Sequence, residues 1–405
     1  MDFDCVVVGA GPSGSTAAKI LAEQGINVLL IDKAIFPRDK PCGGGLPLRV
    51  LQQFPYIKDI GVIETYAYGG YLHPPSLQYK VKIHKTEPII AMVLRKNFDQ
   101  ELVNIAIENG SEFWDNTSLK NVTVTTENVR MTLSDGTHID THLVIGADGF
   151  FSTVAQKTGL GSSFHSDATS VVEEFIVKKE IMDEFFTDQR WCHIFSKIHH
   201  LSGYGWVFPK QTHLNIGIAE YRLNTENKKE VNKNIKEIFD DFLSFLIKRG
   251  IIPEDIKSNA LKGGMLPVKP LKKTYSDHVL LCGDAAGFIN PVSGEGIYYA
   301  LASGRLAGLT AGEALQVNDT GERFLCRYEK RWKNDFGKEI KIMLRSTKQW
   351  KKTNENVVKL MSKDSKLAEL LFSTMTGQKS IYELRWKIVY RYLYALMKYS
   401  LRGQM

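Results

Sequence analysis

Three glycines near the N-terminus have the spacing of a loop that binds the pyrophosphate of a dinucleotide. Gly9, Gly11 and Gly14 follow a short apolar run and precede an alanine-rich segment. In this pattern the first glycine permits a tight turn, the second lets a phosphate approach the backbone, and the third lets the helix pack on the strand. The helix N-terminus contributes N–H groups and partial positive charge. Asp32, at the end of the next apolar run, is near the expected position of the acid that binds an adenosine ribose and disfavours NADP.

Two further acidic glycine turns indicate a longer ligand than NAD. Asp148 and Gly149 form one turn, and Gly283, Asp284 and Gly287 form the other. A simple NAD fold needs only the N-terminal loop. FAD also needs an acceptor for its ribityl chain, which Asp284 can supply. Its second phosphate and ring edge need backbone N–H donors, which the glycines and a helix starting near residue 294 can supply. The sequence therefore predicts FAD.

These segments resemble a known group of flavoproteins. GAGPSG, GADGFFS and CGDAAGFINPVSGEGI are similar to motifs of the FAD-dependent group that includes p-hydroxybenzoate-hydroxylase-like monooxygenases, flavin halogenases and geranylgeranyl reductases. Where that group often has an arginine shortly after Ser152, this chain has TVAQ, which weakens any expected contact with a pyridine nucleotide there. The FAD contacts that the motifs and the resemblance imply are Gly9, Gly11, Pro12, Ser13, Gly14, Asp32, Lys33, Cys42, Gly43, Gly44, Arg95, Asp148, Gly149, Gly283, Asp284, Gly287, Gly294, Gly296 and Ile297.

Two local patterns are similar to the geranylgeranyl reductase family in particular. KPCGGG places Cys42 before three glycines, which resembles the PCGG stretch in which a cysteine lies beside the flavin. YGWVFP, with Gly217 following Pro209 at the matching distance, resembles the YxWxFP(x7)G pattern of the same family. That pattern often begins with a proline where this chain has Leu201. The resemblance covers most of the stretch 1–310 and only loosely the C-terminal part.

The aromatic pattern suits an apolar substrate. Tyr204, Trp206 and Phe208 recur with a period of two, so they share one face of a strand. They could line a tunnel, or they could be ordinary core. Each CH₂ removed from water contributes about 0.8 kcal/mol, so a C20 prenyl tail could supply on the order of ten kcal/mol. The residues expected to contact the substrate are Tyr204, Trp206, Phe208, Pro209 and Gly217.

Reduction of an unactivated C=C bond needs a hydride at one carbon and a proton at the other. Cys42 and Tyr204 are the expected catalytic residues, as proton donors. The predicted function is saturation of isoprenoid, geranylgeranyl-type C=C bonds of a lipid or prenyl diphosphate. Because no second GxGxxG opens a separate nucleotide domain, NAD(P)H would reach the flavin only transiently, or a small electron carrier would replace it.

Two alternative functions stay open at this point. The tryptophan motif is also similar to the WxWxIP of halogenases, so a monooxygenase or halogenase that uses a peroxyflavin is the second interpretation. Dependence of product on oxygen would favour it. The third is an electron-transfer flavoprotein that reduces a quinone. Many such proteins hold an iron–sulfur cluster on closely spaced cysteines, and the five cysteines here are scattered.

The glycine motifs each follow a short apolar run, as buried parallel strands do. Such runs lie at 5–8, 27–31, 143–145 and 278–281. Residues 66–90 and 170–220 alternate as antiparallel strands do, and helical periodicity dominates after residue 295. The predicted fold class is α/β (α+β overall), a Rossmann-like FAD-binding domain with an inserted antiparallel-sheet substrate domain and a helical C-terminal region. The predicted boundaries are 1–70, 95–160 and 270–315 for the FAD-binding domain, 71–94 and 161–269 for the substrate domain, and 316–405 for the basic helical domain.

Composition and charge limit the class of protein and its partners. The chain has 405 residues, 43% hydrophobic and 24% charged, which is typical of a globular protein. No apolar run long enough to span a membrane and no secretion signal is found, so a cytoplasmic location is expected. The cysteine spacing and the cluster of His193, His199, His200 and His213 lack the pattern of a metal site, so no metal is predicted.

The basic C-terminal part indicates an anionic partner. The stretch 320–405 carries 20 Lys and Arg against 8 Asp and Glu, and the stretch 1–319 carries 32 against 37. The segment 385–398 is helical, aromatic and cationic. It could rest on the inner membrane face as a peripheral contact and admit lipid, or pack as a cap on the tunnel. No nucleic-acid module is visible. The oligomeric state stays open, with a monomer favoured.

Overall fold

The computed structural model describes residues 1–161, 167–198, 201, 203–222, 234–257 and 260–401. This part of the chain divides into two compact units, each built from three separate stretches. The first unit comprises Met1–Lys40, Arg95–Asp167 and Leu266–Lys341, and the second comprises Pro41–Leu94, Ala168–Met265 and Ile342–Met405. Residues 41–70, which the sequence-based boundaries assign to the FAD-binding domain, cluster with the second unit.

The described residues form eighteen strands and eleven helices. The strands are β1 Phe3–Val8, β2 Val28–Ile31, β3 Gly45–Pro47, β4 Ile63–Ala67, β5 Gly69–His73, β6 Val81–His84, β7 Ile90–Val93, β8 Glu112–Trp114, β9 Leu119–Val124, β10 Val129–Leu133, β11 His138–Gly146, β12 Asp167–Ile176, β13 Cys192–Phe195, β14 Gly203–Pro209, β15 His213–Arg222, β16 Lys262–Pro267, β17 Tyr275–Ser276 and β18 Val279–Leu281. The helices are α1 Pro12–Ala22, α2 Leu48–Gln53, α3 Arg95–Glu108, α4 Thr153–Lys157, α5 Lys179–Phe186, α6 Ile235–Lys248, α7 Ile297–Gln316, α8 Glu322–Trp332, α9 Lys338–Lys363, α10 Ser365–Met375 and α11 Ile381–Ser400. Short 3₁₀ turns lie at Pro55–Lys58 and Gly283–Ala286, and a π-helical turn joins α8 to α9.

The first unit contains a mixed sheet whose central strands are parallel. The strand order is β17-β18-β11-β1-β2-β8, and β10 and β9 extend from β11. β1 runs parallel to both β11 and β2, and β18 runs parallel to β11. Because parallel strands are covered on both faces, they consist of continuous apolar runs. The runs that the sequence marked as buried strands thus form the middle of this sheet, and the predicted Rossmann-like fold is confirmed.

Helices α1 and α7 of the first unit pack closely because three glycines of α7 face α1. A Cβ at Gly304 would lie 2.1 Å from the Ser13 carbonyl oxygen, and one at Gly308 would lie 2.9 Å from the Ala17 carbonyl oxygen. At Gly312 the nearest atom is instead the Gln24 side-chain oxygen, at 2.2 Å. The i, i+4, i+8 spacing keeps the three glycines on one face of α7. This glycine ridge therefore lets the backbone of α7 approach α1.

The second unit contains a seven-stranded sheet with the order β16-β12-β15-β14-β13-β5-β6 and a three-stranded sheet with the order β3-β7-β4. Most of the pairs are antiparallel, so the predicted antiparallel-sheet region is confirmed. Two details differ from the sequence-based expectation. The pair β13–β5 is parallel, and helix α5 interrupts the alternating region 170–220.

Helices complete the second unit. Helix α6 covers one face of the large sheet with Phe239, Phe242 and Leu246. Helix α9 is anchored at Glu355, which accepts hydrogen bonds from the backbone and hydroxyl groups of Ser76 and from the Tyr79 hydroxyl. Helices α10 and α11 follow, as the helical periodicity after residue 295 predicts. No helix in the described ranges is both long enough and apolar enough to span a bilayer.

Candidate functional site

The N-terminal glycine loop has the shape that its spacing predicts. Gly9 has a φ of 99°, and a Cβ there would lie 2.5 Å from the Ala147 carbonyl oxygen at the end of β11. A Cβ at Gly14 would lie 1.8 Å from the Gly9 carbonyl oxygen, so α1 can start only with glycine at this position. Gly11, which precedes Pro12 and Ser13, has no backbone atom close to its Cβ position. No side chain caps the first turn of α1, so its backbone is presented to a ligand.

Asp32 at the end of β2 ties the glycine loop to the following turn. Its carboxylate accepts hydrogen bonds from the Ala10 N–H at 2.8 Å and the Ala34 N–H at 2.9 Å. The side chain is almost completely buried, and the neighbouring Lys33 is exposed. Asp32 therefore lies where a ribose-binding acid is expected, directly beside the phosphate loop.

A buried charge cluster lies next to this loop and was only partly expected. Arg95, an expected FAD contact, donates two hydrogen bonds of 2.7 Å to Asp99, which is fully buried. Arg38 contributes a second guanidinium to the same carboxylate at 3.0 Å. Its Nη2 is also the nearest atom to the Cβ position of Gly11, at 3.6 Å. Arg38 also lies 3.9 Å from the Asp32 carboxylate, so two guanidinium groups balance two carboxylates, and the guanidinium of Arg38 is the cation that lies beside Gly11.

The second glycine turn uses its acid to start a helix. The Asp148 carboxylate accepts hydrogen bonds from the Ser152 hydroxyl at 2.5 Å and from the N–H groups of Thr153 and Val154. Burial raises the pKa of Asp148, and these hydrogen bonds oppose the shift. Gly149 has a positive φ of 80°. The acid thus fixes the α4 N-terminus, so a cofactor contact in this turn is left to its backbone.

The third glycine turn packs against the first. Gly283 has a φ of 57°, and a Cβ there would lie 2.6 Å from the Ser13 hydroxyl. A Cβ at Gly287 would lie 2.3 Å from the Lys269 carbonyl oxygen. The Asp284 carboxylate is only slightly exposed and lies 3.5 Å from the Lys40 ammonium. Ser13 and Gly283 thus join the loop at the start of the chain to the turn that carries Asp284.

Helix α7 begins beyond this turn without a side-chain cap at its N-cap residue, Gly296. Gly294 has a positive φ of 69°. The Glu295 carboxylate accepts the N–H of Tyr298 at 2.7 Å. Ile297 is the first helical residue. The turn brings Gly296 and the start of α7 next to the Asp284 side chain, since a Cβ at Gly296 would lie 3.6 Å from its Oδ1.

These residues of the first unit fit FAD. The uncapped start of α1, with Arg38 beside Gly11, suits a pyrophosphate. The Asp32 carboxylate suits a ribose, and the slightly exposed Asp284 suits a ribityl hydroxyl. The residues expected at 9–14, 32 and 283–297 are thus assembled within one unit, and they supply the donors and acceptors that an extended dinucleotide needs.

In the second unit the cysteine loop packs on the aromatic strand. A Cβ at Gly43 would lie 3.0 Å from the Phe208 ring and 3.3 Å from Trp206 Nε1. Asn215 donates a hydrogen bond of 3.0 Å to the Cys42 carbonyl oxygen. Its own side-chain oxygen accepts the Trp206 N–H at 2.8 Å. The two motifs, which are far apart in the chain, are therefore in direct contact.

The spacing of the tryptophan motif follows from a cross-strand pair. Trp206 on β14 lies opposite Gly217 on β15, and Tyr204 lies opposite Ala219. A Cβ at Gly217 would lie 2.1 Å from the indole, so the indole occupies the space of the missing side chain. Tyr204, Trp206 and Phe208 follow one another on this face with ring centroids 5.6 and 6.3 Å apart. Pro209 is buried and ends β14.

A buried lysine beside the cysteine loop was not expected from the sequence. Lys210 follows β14, is almost completely buried and forms an ion pair with Glu174. Its ammonium lies 3.0 Å from the Cβ position of Gly44, which has a φ of 71°. No spacing pattern links positions 44, 174 and 210. The one available signal was a lysine directly after an apolar strand.

Metal ligands were not predicted, and no site for a metal is assembled in the described residues. No group of three or more His, Cys, Asp or Glu side chains there is arranged to hold an ion. His199 and His200 of the histidine cluster lie outside the described residues. His193 instead contacts His73, with 3.1 Å between their ring nitrogens.

Comparison with known families agrees with this geometry. The FAD binding domain family matches residues 2–316, so the chain is a member of that class of flavoproteins, and the prediction of FAD is confirmed. A digeranylgeranylglycerophospholipid reductase of Methanopyrus kandleri is 31% identical over 83% of this chain and 87% of its own length. The chain belongs to the digeranylgeranylglycerophospholipid reductase family, which confirms the resemblance stated from the sequence.

Solved structures share the fold. A geranylgeranyl bacteriochlorophyll reductase-like protein of Thermoplasma acidophilum has a TM-score of 0.79 and 24% identity, with 95% of this chain and 98% of that one covered. A flavin-dependent brominase has a TM-score of 0.71 and 17% identity, with 99% of both chains covered. At these identities the likeness shows the fold only, so the brominase does not by itself favour a halogenase.

Proposed function

We propose that this protein is an FAD-dependent oxidoreductase that saturates the geranylgeranyl C=C bonds of a lipid or a prenyl diphosphate. The relatives of Methanopyrus kandleri and Methanocaldococcus jannaschii, each 31% identical, are named digeranylgeranylglycerophospholipid reductase. The observation that carries the proposal is the contact between the Cys42 loop and the aromatic strand. In that contact the backbone of Gly43 packs on Phe208 and Trp206, and the Cys42 carbonyl oxygen accepts a hydrogen bond from Asn215. This arrangement supports a position for an apolar alkene between the cysteine loop and the aromatic side chains.

The first unit would hold the cofactor. Bound FAD, once reduced, supplies the hydride equivalent for the alkene. Arg38 and the start of α1 would hold the pyrophosphate, Asp32 the ribose, and Asp284 the ribityl chain. Arg95 acts through Asp99, since both of its hydrogen bonds to that carboxylate are buried.

Cys42 is the proposed proton donor. The thiol is half-buried, and the Gly44 N–H lies 3.4 Å from its sulfur. When the S–H bond breaks and the proton forms the new C–H bond, the sulfur keeps the electron pair. The Gly44 N–H then stabilises the thiolate. Tyr204 is the second proposed donor, because its hydroxyl is carried on the same aromatic face.

The aromatic row would bind the prenyl tail. Tyr204 and Phe208 are only partly buried, and Trp206 between them is held by Asn215. Rings fixed in this way bind an apolar chain without losing much side-chain entropy. Gly217 leaves room for the Trp206 indole and Pro209 ends β14, and both are proposed to line the path of the prenyl tail.

The test of the reaction is anaerobic. The flavin of the purified protein is reduced with dithionite, and geranylgeranyl diphosphate or a geranylgeranyl ether lipid is added. We expect the flavin to reoxidise and the lipid to gain the mass of two hydrogens per step. Flavin that stays reduced with every prenyl lipid and reoxidises only with oxygen would overturn the proposal in favour of an oxygenase.

Variants test the proton donors. We expect Cys42→Ser to slow alkene reduction by about 10²-fold or more, the usual contribution of a general acid, and Tyr204→Phe to slow it less. Cys326→Ser, at another half-buried thiol, is the matched control and should leave the rate unchanged. Full activity in both the Cys42→Ser and the Tyr204→Phe variants would exclude these residues as donors.

The reductant is proposed to be NAD(P)H or a small electron carrier. NADH, NADPH and reduced methyl viologen are compared as electron donors to the oxidised flavin under argon. A rapid loss of the oxidised-flavin absorbance with NADH or NADPH supports transient binding of that nicotinamide cofactor. Bleaching by the viologen alone supports a carrier.

The protein is also proposed to contact a membrane peripherally, on its cytoplasmic face, through α11. One face of this helix exposes large apolar side chains, among them Trp386 at 72% and Tyr390 at 70% exposure. The stretch 381–401 includes four Lys or Arg and one Glu. An exposed apolar stripe flanked by cations suits the interface of an anionic bilayer.

Sedimentation with vesicles tests this contact. Vesicles of phosphatidylcholine with about a third phosphatidylglycerol should bind the protein, and about 1 kcal/mol per interfacial cation should be lost at high salt. Trp386→Ser with Tyr390→Ser should weaken binding. Phe151→Ser removes an aromatic of similar exposure from the first unit and serves as the control. Equal binding by all variants would contradict the contact.

A further inference from the structure

A buried ion pair lies at the end of the aromatic row in the second unit. Lys210 stands two residues after Phe208 in the chain. Its side chain is only 1% exposed, and its ammonium pairs with the Glu174 carboxylate on β12. The cysteine loop follows the same order, since Gly43 packs on Phe208 and Gly44 packs on the Lys210 ammonium. A positive charge therefore lies where the row would otherwise place a further ring.

The backbone of Lys210 is fixed on both sides. Its N–H donates a hydrogen bond of 2.8 Å to the His213 carbonyl oxygen. Its own carbonyl oxygen accepts a hydrogen bond of 3.0 Å from Arg190 Nε. Arg190 is itself buried and pairs with Asp183 at 2.6 Å. The surrounding structure therefore sets the position of the ammonium, which is not so for a lysine on the surface.

Stability alone does not explain this pair. Burial of an ammonium is strongly unfavourable, and apolar residues of similar volume often stabilise a protein as well as a buried ion pair does. An ammonium also has three N–H donors, and within the described residues only Glu174 accepts a hydrogen bond from Lys210 Nζ. A buried cation with so few partners indicates a role for its charge.

The charge lies next to the residue that contacts the Cys42 sulfur. Gly44 has a φ of 71°, and its N–H lies 3.4 Å from that sulfur. The Cβ position of Gly44 is 2.2 Å from the Val93 carbonyl oxygen and 3.0 Å from the Lys210 ammonium. One residue therefore separates the ammonium from the thiol. A nearby cation favours a thiolate over a neutral thiol.

We propose that Lys210 is a positioning residue for proton donation by Cys42, and that Glu174 holds Lys210 in place. The inference rests on the proposed function, in which Cys42 protonates the alkene. The S–H bond breaks, the proton forms the new C–H bond, and the sulfur keeps the electron pair. The Lys210 charge, acting across Gly44, stabilises this thiolate until a proton from solvent restores the thiol.

Further charged groups surround the cysteine loop and Lys210. They form three pairs, which are Arg38 with Asp99, Lys40 with Asp284, and Arg190 with Asp183. Variants at positions 174 and 210 leave all six side chains unchanged. A change in the reactivity of Cys42 in those variants therefore reports on the Lys210–Glu174 pair.

Alkylation of Cys42 by iodoacetamide tests the charge. The full-length, FAD-bound protein is alkylated over a range of pH, and mass spectrometry quantifies the peptide that carries Cys42. Lys210→Met removes a positive charge, so Cys42 should react roughly tenfold more slowly near neutral pH, with its reaction midpoint at higher pH. Glu174→Gln removes a negative charge and keeps a hydrogen-bond acceptor, so its midpoint should move to lower pH. Cys326, a half-buried thiol of the first unit, is the internal control and should not change.

Opposite shifts distinguish an effect of charge from an effect of packing. A pair with only a structural role would expose or shield Cys42 in the same direction in both variants. The double variant Lys210→Met with Glu174→Gln carries no charge at either position, and its midpoint should lie between those of the single variants. Lys85→Met, at another ion pair of the second unit, is the matched control and should keep the wild-type midpoint. Circular dichroism verifies that each variant is folded.

An unchanged midpoint in Lys210→Met, or shifts of the same sign in both single variants, would overturn the proposal. Alkene reduction is measured separately in the anaerobic assay, where Lys210→Met should lower kcat with little change in KM. Unshifted alkylation in a protein that reduces alkenes would exclude the role of Lys210 and leave the proposed function in place. Shifted alkylation in a protein that reduces no alkene would support the effect of Lys210 on the thiol and overturn the reductase function alone.

Discussion

At the scale of single residues, the pair Trp206 and Gly217 gives the clearest expectation. Any side chain at position 217 meets the indole at 2.1 Å, so Gly217→Val should displace Trp206 and lower the free energy of unfolding by roughly 1–3 kcal/mol. Urea unfolding with tryptophan fluorescence measures both effects. Adding Trp206→Leu to Gly217→Val should recover part of the loss. A double variant less stable than Gly217→Val would contradict the steric explanation.

The buried histidine pair makes stability depend on pH. Burial, with the charge of Lys80, lowers the pKa of His73 to about 4, and burial with His73 and Lys80 lowers that of His193 to about 3. The unfolded chain takes up these protons below about pH 6.5, and the folded chain does not until about pH 4. The stabilisation is therefore complete above pH 6.5 and is lost as the pH falls toward 4, on the order of 2 kcal/mol per imidazole between pH 7 and 5.

Urea unfolding at pH 7 and pH 5 checks this dependence. His193→Phe should flatten the change in the free energy of unfolding between the two pH values. His138→Gln, at an exposed position, should keep the wild-type slope. The same slope in both variants would show that other groups cause the loss.

Site residues that belong to a local sequence pattern could be predicted. Site residues that pair with partners far away in the sequence could not. Gly9, Gly14 and Asp32 lie within one short strand–turn–helix–strand unit, so the close packing of the two glycines and the hydrogen bond from Ala10 to Asp32 follow from local spacing. Arg38 lies in an irregular loop, and its carboxylate partner, Asp99, lies much further along the chain on α3, so no periodicity joins them. Asp148 was expected beside the cofactor, yet its carboxylate is occupied by the start of α4.

At the scale of elements, we expect the glycine ridge of α7 to affect how firmly the protein retains FAD. Gly304→Ala puts a Cβ 2.1 Å from the backbone of Ser13, which is in the loop that would hold the pyrophosphate. We expect FAD to be lost more readily, measured as the ratio of flavin to protein after gel filtration. Gly312→Ala meets only the flexible end of Gln24 and should retain FAD. Equal retention by the two variants would exclude a role for the ridge.

The positions of strands with strong periodicity could be predicted from the sequence. The neighbours with which these strands pair could not. The strands of the first unit follow from short apolar runs, and β14 and β15 follow from alternation. The parallel pair β5–β13 joins Gly70 to Cys192, which are distant in the sequence. Helix α5 is short, so it does not stand out from the alternating pattern around it.

At the scale of the whole molecule, removal of FAD should affect stretches that are distant in sequence. The first unit unites 1–40, 95–167 and 266–341. Hydrogen exchange of the apoprotein, compared with the FAD-bound protein, should rise in all three stretches and much less in β14 and β15. At a free FAD concentration of about 100 times Kd, binding contributes about 2.7 kcal/mol to stability. Faster exchange confined to the stretch 1–40 would argue against one cooperative unit.

The discontinuous plan of the molecule could be inferred because three glycine turns, far apart in sequence, suit one ligand. The grouping of residues 41–70 with the second unit could not, since it depends on the antiparallel pairs β3–β7 and β4–β7. These strands are short and lack a distinctive pattern. The domain boundaries drawn from the sequence remain a prediction for experiments on the isolated parts.

The glycine ridge also sets an order of events during synthesis on the ribosome. Strand β1 and helix α1 leave the ribosome first, but α7, whose backbone packs on α1, begins only at Ile297. The face of α1 that packs on α7 therefore has no α7 partner until almost three quarters of the chain has been made. A nascent chain cannot complete its first unit before α7 emerges, so we expect FAD to bind only late in synthesis.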